Sequence, residues 1–147
     1  MIPAQKTAQD KRDLQKLRAL RGKQWEKELL IMLDDMGWAR RWPTDWSGQP
    51  FDIQACINGE SYGIECKRIA KGNLAYSAFT PNEIENLSRH EDAGGLSVVA
   101  VYRDSPQIVS FIPWYAIRDN VLGGERGSIK LCEYPAVINY VKEVPRP

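Results

Sequence analysis

The chain has 147 residues, 43% hydrophobic and 27% charged, with 20 Lys and Arg against 19 Asp and Glu. That composition suits one domain able to bury a core and excludes a disordered tail. No apolar run reaches the roughly 18 residues of a membrane span, and the start lacks the pattern of a secretory leader, so the expectation is a cytoplasmic protein with no membrane contact.

Residues 1–23 carry Lys6, Lys11, Arg12, Lys16, Arg18, Arg21 and Lys23 against Asp10 and Asp13, a net +5, which leaves the remainder at −4. A basic arm on an acidic body suits a phosphate backbone and equally a solvated leader. Within it Leu14, Leu17 and Leu20 predict a short amphipathic helix over 8–21. Residues 1–21 are thus read as a basic arm and residues 22–147 as the domain. After Gly22 the stripe Trp25, Leu29, Met32, Leu33 and Met36 predicts a second, stronger helix that Gly37 ends.

Residues 38–43 predict a strand closed by Pro43, and 44–50 a loop. Two alternating runs, Phe51–Ile57 and Glu60–Arg68, flank Asn58-Gly59, the strongest short-range hairpin signal. A loop with Gly72 and Asn73 follows, then a helix from about Pro81 to Ala93 with Pro at its first turn and Gly94-Gly95 at its end. Leu96–Tyr102 reads as a central buried strand with Gln107–Ile112 beside it, and 114–119 and 135–143 as short helices. The order of elements predicts a mixed α/β fold, a small sheet flanked by helices. Trp25, Trp38 and Trp114 are expected in the core.

A two-residue turn at Asn58-Gly59 makes facing partners sum to 117, so Asp52 faces Glu65. Phe51, Ile53, Ala55 and Ile57 then share the core face with Tyr62, Ile64 and Cys66; Asp52, Gln54, Gly63, Glu65 and Lys67 take the other. Opposed carboxylates destabilise a ladder by up to about 1 kcal/mol. They are compatible with a solvated polar face or with a cation between them, and oxygen ligands suit Mg²⁺ or Mn²⁺. Glu26 borders the stripe of the preceding helix, and Glu83 lies in the first turn of the following one, where the helix dipole alone accounts for a Glu.

Other chemistries lack their residues. The single histidine, His90, excludes a His-rich zinc site and reads as solvated. Cys56, Cys66 and Cys132 have no Cys-x-x-Cys spacing, and no glycine-rich run offers a nucleotide cofactor a cradle.

Asp52, Glu65-Cys66-Lys67 and the helical Glu26 together resemble the PD-(D/E)xK, restriction-endonuclease-like nuclease core. More specifically the chain resembles RecU-type and archaeal Hjc-type Holliday-junction resolvases: Arg21-Gly22 before Trp25-Glu26, Gly72-Asn73, Pro81–Leu87, Ala93–Leu96 and Ser110–Pro113 carry the likeness over residues 20–118. The resemblance implies a metal-dependent endonuclease acting on branched DNA in recombination and repair, working as a homodimer. Glu26, Asp52, Glu65 and Lys67 would be catalytic, with Asp52 and Glu65 holding the metal and Glu83 able to join them. Two positions depart from the pattern: Pro50 stands in place of a usual Thr, and Glu83 in place of a usual Gln. Arg21, Lys23, Arg40, Arg41, Arg68, Lys71 and Tyr76 are candidate DNA contacts. A nuclease of flaps, ends or specific duplexes, and a non-catalytic branched-DNA-binding protein, are the alternatives.

Overall fold

A computed structural model describes residues 8–43 and 48–136. Its centre is a five-stranded sheet built from β1 (Trp38–Arg41), β2 (Ile53–Ile57), β3 (Glu60–Ile69), β5 (Leu96–Arg103) and β6 (Ile108–Pro113), in the spatial order β1-β2-β3-β5-β6. All pairs are antiparallel except β3 with β5. A parallel pair needs a crossover connection, and this one holds the two-residue β4 (Leu74–Ala75) and α2 (Pro81–Asp92). β4 pairs with β7 (Ser128–Ile129), beyond α3 (Trp114–Leu122), in a separate small sheet.

α1 (Ala8–Met36) lies on one face of the sheet, where Trp25, Leu29 and Leu33 pack against Ile53, Ile64, Val98 and Ala100. The Trp25 indole N–H donates to the Ala100 carbonyl at 3.2 Å, so the ring is oriented as well as buried. On the other face Leu87 of α2 and Trp114 and Ile117 of α3 cover Val99, Val101 and Ile112. β5 is therefore buried on both sides over Leu96–Val101, the reason its sequence is apolar there apart from Ser97, whose hydroxyl donates to the Leu87 carbonyl at 2.7 Å. No helix among the described residues is long and apolar enough to cross a membrane.

The hairpin register follows the expected sum, with Ile57 opposite Glu60, Ala55 opposite Tyr62 and Ile53 opposite Ile64. Asn58 and Gly59 both have positive φ, 52° and 79°, as the tight turn requires. At Asp52 the pattern changes. Its amide donates to the Ile64 carbonyl at 3.0 Å, although Ile64 already faces Ile53. Two residues of one strand thus share one partner, as in a β-bulge. The alternation slips by one position, and Phe51 falls on the face opposite to the one expected, packed over Gly63 and edge-on to His90.

Other expectations are corrected too. α1 is one 29-residue helix that runs through Gly22 without a break, because a single interior glycine lowers helix stability by only about 1 kcal/mol. Met32 and Met36 are exposed, since only the narrower stripe at Trp25, Leu29 and Leu33 meets the sheet. Trp38 is also exposed: it pairs with the exposed Cys56 on the face that α2 and α3 cover only over β3, β5 and β6. His90 is half-buried and hydrogen-bonded to Ser97 Oγ at 3.0 Å; burial lowers its pKa. The helix expected at 114–119 extends to Leu122, while residues 137–143 of the last expected helix lie outside the described residues.

Candidate active site

Glu65 and Lys67 alternate with Cys66 along β3, so both project toward α2 while Cys66 turns toward α1. The helix brings Glu83. Its carboxylate accepts two hydrogen bonds from Lys67 Nζ, at 2.8 and 3.1 Å, and Glu65 Oε1 stands 4.0 Å from the same ammonium. The Phe79 ring lies 5.2 Å from Lys67 Nζ and closes its apolar side. Glu83 also completes a capping box at the start of α2, its amide donating to Thr80 Oγ1 at 3.2 Å. Its position is accordingly set by helix-capping geometry as well as by charge.

Asp52 enters from the bulge. Its Oδ2 accepts the Cys66 amide at 2.8 Å, its Oδ1 accepts the Gln49 side-chain amide, and the Glu65 carboxyl group lies beside it. Asp52 is 8% and Glu65 7% exposed, so both carboxyl groups are withdrawn from water. Burial, then the neighbouring Asp52 and Glu83, push the Glu65 pKa up to about 10 against the pull of Lys67. Burial raises Asp52 as well, opposed chiefly by the Cys66 amide. Both shifts run the same way, because each buried carboxylate disfavours charge on the other.

Glu26 reaches the edge of this cluster from α1. Burial and Asp52 raise its pKa, and Arg41 opposes them. Arg41 Nε lies 2.9 Å from Glu26 Oε1, an ion pair at the rim of the cluster. Lys23, Lys27, Leu30 and Arg41 surround Glu26 in a groove of about 330 Å³, which places two of the expected DNA contacts, Lys23 and Arg41, beside the acids.

The remaining basic candidates stand elsewhere. Arg68 donates to Asp104 at 2.8 Å and to the Arg21 carbonyl at 2.7 Å while stacking on Tyr102, and Arg21 approaches the same aspartate at 3.7 Å. Arg40 pairs with Asp34 over Trp38. Lys71 is exposed in the turn after β3; Tyr76 is half-buried, its hydroxyl accepting from Asn120 at 3.0 Å.

Gln49 and Asn82 were not singled out by sequence. Asn82 Nδ2 donates to the Gln49 carbonyl at 2.7 Å, which ties the loop before β2 to the first turn of α2. A Gln next to Pro and an Asn after a helix-start Pro are ordinary loop and cap residues, so nothing in the sequence distinguishes them.

Among the described residues no three His, Cys, Asp or Glu side chains converge as a metal-binding group; the converging acids are a pair, Asp52 with Glu65. The donors fit a hard divalent cation. Both are carboxyl groups and both are buried, a donor set that a hard divalent cation takes.

No protein-family model and no curated protein matches the sequence. Among solved structures, the chain is similar to Archaeoglobus fulgidus Hjc, a Holliday junction resolvase from an archaeal hyperthermophile, at 28% identity over 63% of this chain and 72% of that one, with a TM-score of 0.48.

Proposed function

We propose that this protein is a metal-dependent endonuclease that hydrolyses phosphodiesters in branched DNA, with the four-way junction as substrate and Mg²⁺ as its ion, Mn²⁺ substituting. The observation that carries the reading is the buried pair Asp52 and Glu65 beside the half-buried Lys67, where the bulged start of β2 meets β3. Such a cluster has no structural need for three ionisable groups. Well-packed apolar residues in its place would be neutral or stabilising.

Hydrolysis of a phosphodiester needs an activated water, compensation for charge growing on the phosphate, and an escape for the leaving oxygen. Asp52 and Glu65 would hold the divalent ion, which when bound lowers the pKa of water and polarises the phosphoryl group. Asp52 is kept in place by the Cys66 amide. Lys67 supplies an ammonium at fixed distance from Glu65 and serves to neutralise the developing phosphate charge. Glu26 adds acceptor character at the edge, and Arg41 and Lys23 offer charge to the DNA backbone. The products are ends carrying 5′-phosphate and 3′-hydroxyl groups. Two opposed strands must be nicked, and one site per chain then calls for a homodimer.

The test incubates the protein and its Asp52→Asn variant with labelled four-way, flapped and linear DNA, in Mg²⁺ or in chelator. Paired symmetric nicks confined to the junction, absent from Asp52→Asn and from chelator, are expected. Cutting of flaps or plain duplex would reassign the substrate. Binding without cleavage would reassign the protein to the non-enzymatic class, and an Asp52→Asn variant as active as the parent would overturn the mechanism.

A further inference from the structure

Two consecutive residues at the start of α2 reach two different members of the candidate site. Asn82 donates at 2.7 Å to the Gln49 carbonyl, and the Gln49 side-chain amide donates to Asp52 Oδ1. Glu83 accepts from Lys67 at 2.8 and 3.1 Å. One chain leads to the acid of the bulge and the other to the lysine of β3.

We infer that the first turn of α2 is the positioning element of the site: Asn82 sets Asp52 through Gln49, and Glu83 sets Lys67 and acts as its anchor instead of as a metal ligand. The inference rests on the endonuclease reading for the purpose of the site, but the geometry it describes stands apart from any substrate.

Three observations support it. Both Glu83 oxygens are engaged by one ammonium, and Oε2 also lies 3.5 Å from the Thr80 amide of the capping box, so this carboxylate is already committed. The turn is itself rigid: Pro81 opens the helix, Thr80 caps it, and the Asn82 carbonyl and Oδ1 accept from Asn86 Nδ2 at 2.9 and 3.1 Å. Finally, with Oδ2 on the Cys66 amide and Oδ1 on Gln49, the plane of the Asp52 carboxylate is fixed from two sides. Hydrogen bonds to ligating carboxylates orient them, and losing such a partner costs about 10-fold to 100-fold in metal affinity or activity.

The experiment compares Gln49→Ala, Asn82→Ala, their double variant, Glu83→Gln, Glu83→Ala and Glu65→Gln with the full-length parent. Three quantities are read: Mn²⁺ affinity of the protein alone by electron paramagnetic resonance, acylation of Lys67 mapped by mass spectrometry, and junction affinity against single-turnover rate. Thermal melts check folding, and Glu83→Gln preserves the capping box.

Gln49→Ala and Asn82→Ala should each weaken Mn²⁺ binding about 10-fold, with the double variant no worse than the weaker single and Lys67 acylation unchanged. Glu83→Ala should remove the protection of Lys67. Glu83→Gln should slow turnover, and both Glu83 variants should keep junction and Mn²⁺ affinity. Tighter or unchanged Mn²⁺ binding in Gln49→Ala overturns the role given to Gln49 and Asn82. Loss of Mn²⁺ in Glu83→Gln to the extent seen in Glu65→Gln makes Glu83 a ligand and overturns the other half. A parent that binds Mn²⁺ with this variant pattern but cuts no DNA sinks the endonuclease reading alone. A parent that takes up no Mn²⁺ leaves the acylation arm to decide, where equal protection of Lys67 in parent and Glu83→Ala overturns the positioning role.

Discussion

At the scale of single residues, the energetics of the site centre on Glu65. Below pH 4.5 its carboxyl is protonated both folded and unfolded and costs nothing; as pH rises toward 10 the unfolded chain ionises while the folded one keeps its proton. A raised carboxyl pKa therefore drains stability progressively across that window. In chelator at pH 8, Glu65→Gln should melt higher than the parent by about 2 kcal/mol, or ~4–8 °C. At pH 4 the two should coincide, and a variant no more stable than the parent at pH 8 would count against the strained acid pair. Adding Mg²⁺ should raise the parent's melting temperature most at the alkaline end and leave Glu65→Gln unmoved.

At the scale of elements, two glycines make opposite predictions. Gly22 lies inside α1, and a Cβ there would meet nothing within 4 Å, so Gly22→Ala should stabilise the protein by about 0.5–1 kcal/mol. A Cβ on Gly63 would come within 2.7 Å of the Phe51 ring, itself flanked by Trp42 and His90. Gly63→Ala should cost about 1–3 kcal/mol by denaturant unfolding. These positions also mark the reach of sequence reading. The turn at Asn58-Gly59 fixed the hairpin register, and with it Glu65 and Lys67, because positive φ has few residue solutions. The slip at Asp52 carried no such mark: it arises from how the Ile64 carbonyl is shared, and no residue type announces that. The stripe of α1 likewise overstated its buried width, since periodicity counts apolar side chains without knowing how far the sheet extends beneath them. Gln49 and Asn82 were hidden for a third reason. Asn82 acts on a backbone carbonyl, which every residue has, and Gln49 reaches Asp52 from a loop, where no periodicity marks a position.

For the whole molecule the charge division matters more than the total of +1. The acidic excess includes the site acids, while the arm at 1–23 carries +5. Deleting residues 1–20 should weaken junction binding and flatten its dependence on salt, by about 0.9 in the logarithmic slope for each phosphate that the arm no longer neutralises. Unchanged slopes in titrations from low to moderate salt would remove the arm from the DNA interface.

Both margins of the five-stranded sheet are finished in ways that resist further pairing. β1, the outer strand on one side among the described residues, is four residues long and ends in Arg40 and Arg41. On the opposite margin, among the described residues, β6 meets one isolated bridge, from Ser110 to Pro135, and proline has no amide hydrogen with which to continue a ladder. Short, charged or proline-stopped margins are how soluble sheets avoid templating fibres. In the homodimer proposed above, the two copies would accordingly meet through side chains rather than by joining their sheets into one. Replacing Arg40 and Arg41 with valine should turn a well-behaved solution into one that aggregates on standing, while the fold of each molecule is kept.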